Sequence, residues 1–332
     1  MTNARVEGRP LIASYVNRLK AIFKSAATKH EAHSESARVM QEMAADEPFF
    51  SAVLAKHLGT PGALNATHYP VPGFEIESNP YFELVANAWI PLPSGETDVS
   101  TKAIHHHGEL LLTTATAFGP GYEHWMLTRP REVDGGRHLY AMDLIDHGRH
   151  GLHEVAFVDA YVAHLPLYPP SLTVTLCLWS HRGEKTWRDS LKRVPIVQRN
   201  ADSLRRVVTR LGLGGQLEIK EAEFFDFYPT ADGFVGMEHR EEFPRGPNSD
   251  YLHTLFHILQ ETGNARLADL VQEQVERAKV DDVTLARRLL ADLEAGTPIE
   301  GRLSEGHYGV PHANFTREAI EQALAARTAI EH

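Results

Sequence analysis

Ile104-His105-His106-His107-Gly108-Glu109-Leu110-Leu111-Leu112 is the stretch on which the reading of this chain turns. It has the texture of a strand, and side chains alternate between the two faces of a strand. His105 and His107 therefore project together, Glu109 follows them on the same face, and His106 points the other way. Two imidazoles on one side of a rigid strand make half of a metal site. A third candidate ligand, His164, stands in Val162-Ala163-His164-Leu165-Pro166. It lies just ahead of the apolar run Ser171-Leu172-Thr173-Val174-Thr175-Leu176-Cys177-Leu178-Trp179. The pattern predicts a mononuclear metal in the mouth of a β-barrel, and so an enzyme.

Working outward, residues 75–196 carry short apolar runs separated by proline and glycine turns. The runs are Tyr81 to Ile90, Ile104 to Ala117, Tyr122 to Thr128, Leu139 to Ile145, Val155 to Val162 and Leu172 to Trp179. Many short strands at this spacing predict a sandwich or barrel. The first ~60 residues read as helical, with Leu11, Tyr15, Leu19, Ile22 and Phe23 at helical spacing. A second helical stretch, Ser34 to Leu58, is interrupted at Asp46-Glu47-Pro48, because proline starts helices better than it continues them. After Arg199, Leu204 to Leu211 reads as helix and Gln216 to Phe243 as mixed. Helical periodicity returns in Tyr251 to Gln260, Ala265 to Ala278, Val283 to Leu293 and Arg317 to Ala326, with Thr316 as a candidate cap. The expected organisation is an N-terminal helical extension (1–62), a β-barrel (63–199) and a mixed, then helical, C-terminal region (200–332) packing on the barrel or on a dimer partner.

Composition narrows the class. A hydrophobic content of 42% over 332 residues is enough for a real core. The net charge of −11 and the lack of a basic run argue against nucleic-acid binding. The single cysteine, Cys177, allows no internal disulfide, which fits a reducing, cytoplasmic setting. No run of 18 apolar residues predicts a membrane span, and Met1 to Glu7 lacks the pattern of a signal peptide. There are 20 histidines, many for this length, clustered at 105–107, 147–153 and 253–257.

The histidine pair, the turn Phe118-Gly119-Pro120-Gly121-Tyr122-Glu123, and His164 followed by Pro170-Ser171-Leu172-Thr173-Val174-Thr175-Leu176 together resemble the cupin superfamily over residues 75–190. The resemblance implies a mainly β core, a cupin double-stranded β-helix or jelly roll, flanked by N- and C-terminal helices. Cupins commonly carry a glutamate four or five residues after the second histidine. Leu111 and Leu112 stand there instead. The departure resembles the three-histidine cupins, among them the thiol dioxygenases. It implies His105, His107 and His164 as ligands of Fe(II), with Zn, Ni, Mn or Cu as other occupants of such a donor set. The implied activity is a mononuclear non-haem iron oxygenase of dioxygenase type, taking O2 and a small-molecule substrate. No 2-oxoglutarate pattern is present, so the electrons would come from the substrate. A zinc or nickel isomerase, lyase or hydrolase is the non-redox alternative. A cupin sensor or scaffold, whose helical ends bind a partner, is the non-enzymatic one.

Further candidates attach to this site. Glu109 is a fourth ligand or an acid/base, or else a solvated rim residue. Tyr122, His124 and Trp125 follow the glycine turn and are placed to line the cavity mouth, with Tyr122 read as catalytic and Trp125 as substrate-binding. Arg129, Arg131 and Arg137 are candidates to grip a substrate carboxylate. His153 rivals His164 as third ligand, whereas Asp146 to His153 as a whole reads as a hairpin turn. His253 and His257 flank an apolar helical stripe and read as structural. Cys177 reads as a small buried residue. Trp179 and Trp187 bracket the barrel's exit. The run Leu211-Gly212-Leu213-Gly214-Gly215 lacks the lysine and hydroxyl of a phosphate loop.

Overall fold

The computed structural model describes residues 3–66, 71–180, 225–238, 247–277, 280–303 and 315–330. Trp187, the helix expected at Leu204 to Leu211, the Leu211 to Gly215 run and the boundary at residue 199 lie outside them. Three helices open the chain: α1 (Asn3–Ser25), α2 (Lys29–Ala45) and α3 (Glu47–Leu58). Thr28 caps α2 by accepting from the Glu31 N–H at 3.1 Å, satisfying one of the free donors of the first turn. The break expected at Asp46-Glu47-Pro48 is the α2–α3 junction, with Pro48 in the first turn of α3, where its missing N–H costs nothing.

The strands are β1 (Gly73–Ser78), β2 (Phe82–Trp89), β3 (Leu112–Phe118), β4 (Tyr122–Leu127), β5 (Arg131–Asp134), β6 (Leu139–Ala141), β7 (Leu144–His150), β8 (Val155–Val158), β9 (Ala163–Pro166), β10 (Thr173–Ser180), β11 (Phe225–Thr230) and β12 (Gly233–Glu238). One antiparallel sheet has the order β1-β2-β10-β3-β8. The opposing wall is β7-β4-β9, with a second group, β11-β12-β6-β5. Bridges His105 to His164 and Ile104 to Phe227 stitch these two groups into one surface. The result is the expected double-stranded β-helix with helical extensions.

Alternation decides what each face meets. On β10, Val174, Leu176 and Leu178 face outward, into a core shared with α1 to α3. That core also takes in the C-terminal helices α4 (Asn248–Glu261), α5 (Ala268–Glu276) and α6 (Val283–Ala295). Cys177 and Trp179 face inward with Leu112, Val158 and Met126. On the opposite wall Trp125, Leu127, Ala163 and Leu165 face outward, under Ile320 and Ala323 of the last helix, α7 (Arg317–Ile330). Thr316 caps α7 by accepting from the Ala319 N–H at 3.3 Å. Helices thus cover the outer face of both walls, and β10 is buried on both faces because its other face looks into the barrel. Among the described residues no helix is long and apolar enough to cross a membrane.

Two expectations change here. The run Ile104 to Ala117 is not one strand. Gly108, at φ +58°, turns the chain, Leu110 N–H donates to the His107 carbonyl at 3.1 Å, and the strand proper begins at Leu112. Asp146 to His150 is a strand, β7, pairing with β4, and the turn begins only at Gly151. Its side chains are almost all exposed, so it lacks the apolar alternation that marks a strand.

A buried imidazole ties α2 to the barrel. His33 is 1% exposed, and its Nδ1 lies 2.8 Å from Thr113 Oγ1 on β3. Burial pushes its pKa down to about 4 from an ordinary 6.5, with the charges of His30 and Lys29 acting the same way. The folded state therefore resists protonation that the unfolded chain accepts. Stability from this residue is complete above pH 6.5 and is lost as pH falls toward 4. At about 1.4 kcal/mol per pKa unit the loss is roughly 3 kcal/mol. His33→Gln should flatten the fall in urea midpoint between pH 7 and pH 4.5. An unchanged pH profile would show that His33 does not contribute.

Candidate metal centre

Three imidazoles converge between the walls. His105 is positioned by its bridge to His164, its N–H donating to the His164 carbonyl at 3.2 Å and its carbonyl accepting back at 2.9 Å. His164 sits on β9, whose other neighbour is β4, with Met126 directly opposite. Residues opposite one another in an antiparallel ladder share a face. His107 closes the triangle from the turn that follows. The ring centroids lie 4.7, 4.7 and 4.6 Å apart. One ligand atom from each residue falls within 4.8 Å of the other two.

The orientation of the rings suits a cation. His105 Nδ1–H donates to the Ala103 carbonyl at 3.0 Å, and His164 Nδ1–H to the Val162 carbonyl at 3.2 Å. Each bond fixes the tautomer and leaves the Nε2 lone pair free, as in metal-binding histidines generally. His105 Nε2 and His107 Nε2 are 3.0 Å apart. Two nitrogens each about 2.1 Å from one ion, at right angles, would stand about 3.0 Å apart. The donors present therefore fit a first-row divalent metal.

Burial keeps the His105 and His164 rings neutral. His164 is pushed down to about 3, by desolvation first and the Lys102 charge second. His105 lies well below its ordinary value for the same two reasons, with the neighbouring imidazoles adding to them. Neutral imidazole is the ligating form. Trp179 packs edge-on against His107 with centroids 4.2 Å apart, and so holds that ring in place.

His106 points away, as expected from alternation. It is buried, its Nδ1 accepts from the Gly108 N–H at 3.1 Å, and its ring packs near Tyr161 and Phe227. His153 is in the turn after β7 at φ +62° and takes no part in the trio. His253 and His257 are structural, the latter donating from Nδ1 to the Ile299 carbonyl at 2.7 Å.

Several other expectations are corrected. Glu109 is exposed in the Gly108–Glu109 turn and does not follow the two histidines along a strand face. Trp125 lies on the outer face of β4, 2% exposed, with Nε1–H donating to Glu123 Oε1 at 2.7 Å, so it lines no cavity. Arg129 is exposed and covers the Tyr161 ring at 4.5 Å. Arg131 is exposed on β5, and Arg137 pairs with Asp232. The nearby cation whose charge acts on His105, His124 and His164 is Lys102.

One inner residue went unread, and His124 was read only as lining the cavity mouth. Tyr122, His124 and Met126 share one face of β4, while Glu123, Trp125 and Leu127 share the other. Strict alternation thus separates His124 from the Trp125 chosen as a substrate residue. Tyr122 packs on Trp89 with centroids 5.1 Å apart, and burial raises its hydroxyl pKa. His124 is 5% exposed, its ring 5.4 Å from His164 and 4.6 Å from His150, and its Nδ1 has no hydrogen-bond partner among the described residues. Lys102, three residues before His105, is the unread one. An open pocket of about 280 Å³ at Tyr122, His147, Arg149 and Tyr168 includes none of the trio.

No family model and no curated protein matches the chain. Solved structures do match in part. The DMSP lyase DddQ from Ruegeria pomeroyi is 11% identical, with 35% of this chain and 49% of that one covered, at a TM-score of 0.24. A cupin-2 domain protein from Rhodospirillum rubrum is 16% identical, with 42% and 82% covered, at 0.22. An uncharacterized protein with a double-stranded β-helix domain from Klebsiella pneumoniae is 11% identical, with 33% and 76% covered, at 0.22. The match spans about half the length of the lyase.

Proposed function

We propose that the chain is a mononuclear metal-dependent oxygenase of dioxygenase type, acting on a small molecule, with Fe(II) held by His105, His107 and His164. The observation that carries this reading is the convergence of three imidazoles, two with Nδ1–H tied to backbone carbonyls, with no carboxylate in the cluster. An iron ion held by these three residues would supply the redox chemistry and bring O2 and a substrate heteroatom together, removing much of the orientational cost of their reaction. The chain's own residues do the rest. Trp179 and the carbonyls of Ala103 and Val162 orient the imidazoles. Leu112, Val158 and Met126 keep the interior apolar and exclude water. His124, unpartnered at Nδ1 and within reach of the same space, is the group placed to take a proton from bound substrate.

The test is elemental analysis of freshly purified protein, followed by oxygen uptake with small-molecule candidates. Iron near one per chain and oxygen consumption that is lost on chelation support the proposal. Stoichiometric zinc or nickel with turnover and no oxygen uptake would replace it with a Lewis-acid enzyme.

A further inference from the structure

We propose that Lys102 is the anchor for an anionic group of the substrate, a carboxylate, held inside the barrel beside the three histidines. This rests on the metal reading above and deepens it.

Lys102 lies on the segment that runs along β9, where Thr101 N–H and Oγ1 both bond the Pro166 carbonyl, each at 3.0 Å. Lys102 is half-buried, and its ammonium is turned toward the barrel wall. It sits 6.0 Å from the centre of the Trp89 ring, whose indole N–H is held by Thr175 Oγ1 at 2.8 Å on the inner face of β10. Its charge acts on His105, His124, His164 and Cys177, four groups on two opposed walls. Burial lowers its own pKa to about 8, against the opposing pull of Cys177 and Asp226.

No described carboxylate lies within ion-pair distance of this ammonium. Asp226, the acid it feels, is buried and has an interaction of its own. A charge taken out of water without a partner is costly, and a cation–π contact recovers only part of that cost. A divalent ion on the three imidazoles would add two further positive charges, again without a carboxylate in the trio to offset them. The interior is therefore built with excess positive charge, and a bound anion is what balances it. Beside Trp89 the wall supplies neutral hydroxyl groups, Thr175 and Tyr122, which can hold a carboxylate without adding charge. The cation expected of a carboxylate-binding site thus comes from inside the barrel and not from Arg129, Arg131 or Arg137.

The experiment uses the full-length protein loaded with Co(II) and two probes, mercaptoacetate and ethanethiol. Both place a thiolate on the metal, read as a charge-transfer band, and only the first carries a carboxylate. Wild type should bind mercaptoacetate at least tenfold more tightly than ethanethiol. Lys102→Met should lose at least tenfold for mercaptoacetate, keep ethanethiol within twofold, and hold the same Co(II) stoichiometry. Lys102→Arg should keep most of the preference. Lys102→Gln, read in the same way, replaces Lys102→Met if that variant does not fold. Equal loss for both thiols, or none for either, overturns the proposal. Wild type that takes up no Co(II) overturns the metal reading, and this proposal with it.

Discussion

Alanine at His164 should lower divalent metal affinity at least about 100-fold, with the same result at His105 and at His107. Losing an outer partner of a metal ligand already costs 10- to 100-fold, so losing one of three ligands must cost at least as much. The geometry distributes the load evenly, because the three rings form a near-equilateral triangle of 4.6 to 4.7 Å. His106→Ala and His153→Ala should retain wild-type metal, since neither side chain belongs to the cluster. Metal per chain after dialysis, and competition with a chromophoric chelator, give the numbers. Full occupancy in His164→Ala together with loss in His153→Ala would move the third ligand to the turn after β7 and undo the site as drawn.

The parts of this arrangement that were legible in sequence are those that depend on local periodicity. Leu172 to Trp179 alternates between two buried faces and was readable as a core strand. The pair His105 and His107 could be placed together from two-residue spacing alone. Pro48 and Thr316 mark helix starts by the hydrogen bonds they do or do not need. Local periodicity failed where local chemistry and tertiary setting diverge. β7 is an edge strand with exposed side chains, so its polar text, Asp146-His147-Gly148-Arg149-His150, imitates a turn. Gly108 carried a signal that went unused: a glycine inside an apolar run marks a turn, and at φ +58° this one removes Glu109 from the site. On β4 the face parity was available but not applied, which put Trp125 on the wrong side and left it undistinguished from His124. Lys102 offered no pattern at all. What its ammonium meets is set by Trp89 on β2 and Cys177 on β10, strands that pair with each other and not with the segment carrying the lysine.

The glycine turn between β3 and β4 supplies the other large effect. Gly121→Ala should destabilise the fold by about 3 kcal/mol or more, a fall in melting temperature of about 4 °C or more. Two causes add. Gly121 has φ +78°, a conformation that an L side chain adopts only under strain. A Cβ there would also stand 2.6 Å from the His150 carbonyl carbon and closer still to its oxygen. That obstacle is backbone, not the end of a flexible side chain, so relief requires β7 to part from β4 at the pair Tyr122 and His150. The same turn carries the chain from the β10-β3 wall to the wall that presents His124 and, through β9, His164. The strain therefore reaches the metal centre, and residual folded protein should bind metal more weakly. Gly148→Ala is the control. It lies on the same strand, β7, where an added Cβ meets no atom within 4 Å, and its cost should stay within about 0.5 kcal/mol. Urea midpoints of the two variants measure the contrast. Gly121→Ala unfolding at the wild-type midpoint would mean that β4 and β7 are not packed at this turn as described.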